Sequence, residues 1–267
     1  MKYKLIISDY DGTLGEAPSN NIDPETLQSI NQFIKNGGTF IVCSGREYRS
    51  IRKICLEHGL NGLVVSFQGA RIHEIESGKK LFDGGISAER AIELLEMVKP
   101  YGLDPIIYTE DGFYLERQSK YTEYYEKAVK MKGVLCDPKQ KVLELGSVCK
   151  LGWLGDVSVI PKAVSELNEK CVGGDIKFNS GAPILLEAIN SNCSKGNAVR
   201  FLADYYGVEY SQILAIGDST NDIDLIKGEW HGVAVGDGNE ELKAVAKEIA
   251  PPFKQKPVKY VIDKYCL

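Results

Sequence analysis

The stretch Leu5-Ile6-Ile7-Ser8-Asp9-Tyr10-Asp11-Gly12-Thr13 decides how the rest of the chain is read. Three apolar residues in a row predict a short buried strand, of the kind found where a parallel sheet is covered on both faces. In open α/β sheets the ligand site lies beyond the carboxyl ends of strands, which is where Asp9 and Asp11 fall. Strand alternation puts both carboxylates on one side if the extended geometry continues. Gly12 then allows a sharp turn. A polar turn with a capping Asp is the plainer alternative. Asp-x-Asp-Gly-Thr/Ser arises by chance in about one chain in a hundred of this length.

Moving outward, short apolar runs alternate with amphipathic stretches. Asp23-Pro24 opens a helix that Gly37-Gly38 closes, Phe40-Ile41-Val42 is a second strand, and a helix over about 47–58 stops at Gly59. Leu63-Val64-Val65 is a third strand. Residues 71–75 and 79–82 flank Ser77-Gly78 as a hairpin. From about 87 to 187 the pattern is mixed: helical spacing over 88–98 and 161–169, strands over 148–154 and 184–186, and a hairpin around Glu110-Asp111. A parallel pattern resumes with a helix from Ser194 to Tyr206, strands at 213–216 and 233–235, and helices near 240–246 and 258–265. This predicts one α/β sheet split by an insertion of about a hundred residues, far above a loop's usual length.

The chain has 267 residues, with 37 acidic against 32 basic side chains. That balance argues against a nucleic-acid partner, which would call for a basic surface. The seven cysteines (43, 55, 136, 149, 171, 193, 266) are odd in number and widely spaced, with no Cys-x-x-Cys pair. Free thiols in a reducing cytoplasm are the simplest account. No apolar run approaches the ~20 residues of a membrane span.

Three more groups carry chemistry. Ser44-Gly45-Arg46 follows the second strand, where a hydroxyl and free N–H groups can cradle an anion, although Ser before a helix also reads as a cap. Lys195 opens a helix, against the macrodipole, unless an anion lies nearby. Gly217-Asp218-Ser219-Thr220-Asn221-Asp222 follows the strand at 213–216 and offers hard oxygen ligands suited to Mg²⁺. Four pieces on four strand ends at one crevice supply a nucleophilic carboxylate, a second carboxylate, a hydroxyl, a lysine and metal ligands. That inventory fits phosphoryl transfer through an aspartyl-phosphate.

With all four motifs in order, the sequence resembles the haloacid dehalogenase-like phosphohydrolases, most closely the Cof-type branch. The resemblance implies a Rossmann-like parallel-sheet core, 1–82 and 187–267, with an inserted α+β cap domain, 83–186, between the second and third motifs. It implies that Asp9 is the nucleophile and Asp11 the general acid and base, with a raised pKa. Mg²⁺ would be held by Asp9, the backbone carbonyl of Asp11 and Asp218, with Asp222 acting through water or by orienting those ligands. Ser44, Gly45, Lys195, Asn221 and Thr13 would bind phosphate, and Arg46, Gln68 and Gly69 would contact substrate. The implied substrate is a small phosphorylated metabolite, such as a sugar phosphate, selected by a cap that opens and closes. Departures are Gln68-Gly69-Ala70 in place of Asn-Gly-Ala, Tyr10 in place of a small aliphatic residue, and Leu225 in place of Met.

A phosphomutase or phosphotransferase would use the same nucleophile. A phospho-acceptor signalling protein would use similar groups, but the order of elements here runs against it. Outside the motifs, His58, His73 and His231 read as helix-end or turn residues, and Tyr121, Tyr124 and Tyr125 as core packing. Trp153 reads as structural, and the lysines from 243 to 264 as a solvated face.

Overall fold

The computed structural model describes residues 2–16, 19–110, 112–171 and 174–267. Asp111, at the tip of the expected hairpin, lies outside the described residues. The chain divides into two compact units, Met1–Asp83 with Ser194–Leu267, and Gly84–Cys193.

The first unit is built on an eight-stranded sheet. It contains β1 (Leu5–Ser8), β2 (Thr39–Cys43), β3 (Leu63–Ser66), β4 (Arg71–Glu74) and β5 (Lys80–Asp83). Beyond β1 lie the strands Ile213–Gly217, His231–Ala234 and Glu248–Ile249. All neighbours are parallel from Glu248–Ile249 across to β3, and β4 and β5 are antiparallel. The apolar runs are explained by the two cores they serve. Ile6, Phe40, Val42, Val64, Leu214 and Ile216 face α1 (Pro24–Lys35), α2 (Tyr48–Glu57) and the C-terminal helix Pro257–Tyr265. Leu5, Ile7, Ile41, Cys43, Val65, Ile213 and Ala215 face the helix Lys195–Tyr206 and Trp230. Both sheet faces are covered, so alternation vanishes from the strands' composition, and each buried Ile or Leu contributes about 1.5–3 kcal/mol.

The second unit has a six-stranded sheet in the order Ile176–Ala182, Leu185–Asn190, Lys150–Leu154, Asp104–Thr109, Gly112–Leu115 and Val134–Leu135. Helices Ala88–Val98, Pro138–Leu145 and Ile160–Lys170 pack on one face through Leu94, Val98, Val142, Ile160 and Leu167 against Ile107, Leu151, Trp153 and Phe178. The other face carries Ile106, Tyr108, Phe113 and Leu185, with Tyr121 and Tyr125 from the helix Lys120–Val129 packed on it.

Several expectations need correction. The single strand expected at 148–154 is two, because Ser147–Val148 pairs with Ile86–Ser87 in a separate ribbon and only Lys150–Leu154 joins the main sheet. Tyr124 is 64% exposed, since it lies off the face that Tyr121 and Tyr125 bury. His73 lies inside β4, stacked on Tyr48 with ring centroids 3.8 Å apart. Lys247 and Lys264 are exposed, as expected of a solvated face, and also have partners: Lys247 donates to the carbonyls of Gly228, Glu229 and Trp230, and Lys264 pairs with Glu248. Among the described residues no helix is long and apolar enough to cross a membrane. All seven cysteines are free thiols.

Candidate active site

Register alone brings the first and last motifs together. Ser8 lies opposite Ile216 on one side and Val42 on the other, and the Asp9 amide donates to the Ile216 carbonyl at 2.9 Å. The next residues in each strand direction are therefore Asp9, Gly217-Asp218 and Cys43-Ser44. Lys195 does not come from a strand end as expected. The strand before it, Leu185–Asn190, pairs within the second unit, and Lys195 is the first residue of the helix that Ser194 caps through Asn197 N. Three strand ends and one helix start make the site.

At its centre the Lys195 ammonium, 1% exposed, donates to Asp9 Oδ1 and to Asp222 Oδ1, each at 2.5 Å. Asp222 is fully buried. Its other oxygen accepts from the backbone N–H of Asp218 at 3.2 Å and of Ser219 at 3.1 Å. Thr13 Oγ1 donates to Asp218 Oδ1 at 2.9 Å. Carboxylate oxygens of Asp9, Asp218 and Asp222 all lie within 4.8 Å of one another. Gly12 has φ +81°, and a Cβ there would sit 2.5 Å from Asp218 Oδ2. Both the conformation and the close approach require glycine.

The electrostatics follow from burial and from the shortage of positive charge. The Asp9 carboxyl is pushed up to about 8 in all: burial raises it most, Lys195 pulls it back down, and the charges of Asp222 and Asp218 raise it further. Burial by itself would lower Lys195, yet the charges of Asp9 and Asp222 hold it above its ordinary value. Burial also raises Asp218, against the hydrogen bond from Thr13. Three carboxylates around one ammonium leave two negative charges uncompensated when all are ionised.

Ser44 is buried, and its Oγ accepts from Arg46 N at 3.1 Å; Gly45 beside it is exposed. Gln68 N donates to the Ser44 carbonyl at 3.2 Å, and the Gln68 carboxamide occupies the space a Gly45 side chain would need. Phe67 and Gln68 both hold positive φ, 49° and 57°. Gly69, at φ +97°, packs on the Ser194 carbonyl and lies so close that a Cβ would be 3.0 Å from Lys195 N. The loop after β3 thereby touches both the Ser44 turn and the start of the lysine helix. Asn221 is exposed, and its side-chain oxygen accepts from Ser219 Oγ.

Asp11 and Arg46 stand apart from this centre, paired with each other. Arg46 Nε and Nη2 fork onto the two oxygens of Asp11 at 2.7 and 2.6 Å. Three partners have no signal in the sequence. Asp224 accepts from Gly196 N at 3.0 Å and ties down the lysine helix. Asn20 accepts from Arg46 Nη1, and Ser219 closes a capping box with Asp222. Asp224 and Asn20 acquire their roles only after distant segments meet, whereas the Ser219 capping box is local.

Comparison with known proteins gives the family. A family model described as haloacid dehalogenase-like hydrolase matches residues 6–262. A Haemophilus influenzae protein is 25% identical over 99% of this chain and 98% of its own length. A Klebsiella pneumoniae protein named HMP-PP phosphatase is 26% identical over 90% of this chain and 87% of its own. Among solved structures, a haloacid dehalogenase-like hydrolase from Bacteroides thetaiotaomicron superposes with a TM-score of 0.81 at 25% identity, covering 98% of this chain and 99% of the other. The chain belongs to the haloacid dehalogenase-like hydrolases, as an enzyme of the phosphoric monoester hydrolase class.

Proposed function

We propose that this chain is a Mg²⁺-dependent phosphatase acting on small phosphorylated metabolites, sugar phosphates or similar compounds, through an aspartyl-phosphate on Asp9. The observation that carries the reading is the trio of carboxylates around one buried ammonium. Its donors are all hard oxygens, and the two negative charges left uncompensated when all three carboxylates are ionised are what a divalent cation neutralises. Asp9, Asp218 and the Asp11 carbonyl would hold the ion. Asp222 has both oxygens engaged, so it holds Lys195 and the Asp218 turn in place. When bound, Mg²⁺ screens the repulsion between Asp9 and the phosphoryl oxygens.

Asp9 attacks phosphorus as the ester P–O bond breaks, and Asp11 gives its proton to the departing oxygen. Water then loses a proton to Asp11 and attacks the phosphorus, which frees Asp9 and inorganic phosphate. Lys195, Ser44, Gly45 and Asn221 hold the phosphoryl oxygens, and Thr13 fixes Asp218. Gln68 and Gly69 sit beside that cradle as substrate contacts. We assign catalysis to Met1–Asp83 with Ser194–Leu267 and substrate selection to Gly84–Cys193, moving the second boundary from 187 to 194 because Leu185–Asn190 pairs within the second unit. The seven free thiols support a reducing, cytoplasmic setting.

The test is phosphate release from a panel of phosphorylated metabolites, with HMP-PP included because relatives carry that name. Activity is expected with Mg²⁺, not with EDTA, and not in Asp9→Asn. A fully active Asp9→Asn variant would refute the nucleophile. An isomerised product without free phosphate would make the chain a mutase.

A further inference from the structure

Arg46 stands beside the site, and among the described residues it makes no hydrogen bond or ion pair with Asp9 or Asp218. Each of its guanidinium nitrogens has a partner: Nε and Nη2 donate to Asp11, and Nη1 donates to Asn20 Oδ1 at 2.7 Å. It lies over the Tyr10 ring, 4.8 Å from the centroid. Tyr10 cannot yield. It is fully buried, its carbonyl accepts from the amides of Thr13, Leu14 and Gly15, and its hydroxyl lies where a Gly15 side chain would be. Asn20 is held in turn, because His58 at the end of α2 bonds its carbonyl at 3.0 Å. The Arg46 backbone is pinned at both ends, its N–H to Ser44 Oγ and its carbonyl to Phe67 N.

We propose that Arg46 is the positioning residue for Asp11, and that the Tyr10 ring and Asn20 are built to aim Arg46. The inference rests on the assignment of Asp11 as proton donor made above. As the Asp11 proton passes to the leaving oxygen and the P–O bond breaks, negative charge develops on the carboxylate beside the guanidinium. A planar fork fixes both the place and the orientation of that charge, which an ammonium would not do. An aromatic floor adds cation–π attraction and holds the guanidinium flat. The departure at Tyr10 thus gains a purpose, and Arg46 is used on the catalytic acid and not on the substrate.

The experiment compares kcat/KM for glycerol phosphate, a poor leaving group that needs the acid, with kcat/KM for p-nitrophenyl phosphate, which needs it little. The variants are Arg46→Lys, Tyr10→Leu, Tyr10→Phe and Asp11→Asn, each checked for cooperative thermal unfolding. The expected result is a fall of about tenfold in the glycerol-to-nitrophenyl ratio in Arg46→Lys and Tyr10→Leu. Tyr10→Phe keeps the ring, and the Tyr10 hydroxyl has no hydrogen-bond partner among the described residues, so its ratio is expected within about twofold of wild type. Adding Arg46→Lys to Asp11→Asn is expected to lower the ratio no further, because the two act as one unit. Equal losses on both substrates would overturn the proposal in favour of a substrate contact. A rise in the ratio would overturn it in favour of a restraint on Asp11. If Tyr10→Leu fails to fold, Arg46→Lys decides alone. A wild-type chain inactive on both substrates would remove the phosphatase reading and this inference with it, whereas an active one with an unmoved ratio would remove only the inference.

Discussion

Replacing Asp9 by Asn in metal-free protein is expected to kill activity and yet stabilise the fold at alkaline pH. The wild-type carboxyl is buried among Asp218 and Asp222 with only Lys195 opposite, and its pKa in the fold is pushed up to about 8. The unfolded chain ionises this group near 3.9. Between those values the folded state binds the extra proton, so wild-type stability falls as pH rises from about 4 through about 8. The full slope is about 1.4 kcal/mol per pH unit. Integrated from pH 6 to pH 8 with a folded pKa of 8, the loss is about 2 kcal/mol. Asn has no such proton, and its Oδ1 can still accept from Lys195. Urea unfolding of both proteins in EDTA at several pH values measures the gap directly. The Asn variant is expected to gain about 2 kcal/mol on wild type between pH 6 and 8, and saturating Mg²⁺ is expected to erase most of the difference. Parallel stability curves in EDTA would refute the claim that the site is short of positive charge.

Two further outcomes follow from the same geometry. Asp222→Asn leaves one buried donor facing another, either at Lys195 or at the Asp218 and Ser219 amides, and is expected to cost about 2–4 kcal/mol by calorimetry or urea melts. Gly69→Ala puts a methyl against the Ser194 carbonyl at a left-handed φ. It is expected to lose about 2 kcal/mol or more and to lower kcat by displacing Lys195, both measurable on one preparation.

In the first unit β1, β2, β3 and Ile213–Gly217 were legible because each is built on a short unbroken apolar run, with punctuation at Gly37, Gly59 and Gly207, whereas the two-residue strand Glu248–Ile249 has no such run and was not expected. The second unit was read less well. Ile176–Ala182 alternates Ile-Lys-Phe-Asn and then runs into Ser-Gly-Ala, so polar residues and Gly181 hid a seven-residue strand. The helix Pro138–Leu145 buries only Pro138 and Val142, too few apolar positions to reveal a period. At the site, Asp9, Asp218 and Lys195 were legible because each follows a strand or starts a helix in a recognisable motif. The pairings were not. Lys195 bonding Asp222, Arg46 forking onto Asp11, and Asp224 holding Gly196 depend on which side chains meet across 27, 35 and 28 residues. No local pattern encodes such meetings.

The place of β1 in the sheet has a consequence for biosynthesis. Its two neighbours, β2 and Ile213–Gly217, are made at very different times. The Thr13–Asp218 contact that closes the far side spans 205 residues. At about 5–20 residues per second, the ribosome takes roughly 10–40 s to supply the missing partner. Until then Leu5–Ser8 is an edge strand of a nascent chain, apolar and unpaired along one side, in a form that invites pairing with a neighbour. The demand falls on whatever shields the emerging polypeptide, and it lasts for as long as the entire intervening unit takes to translate.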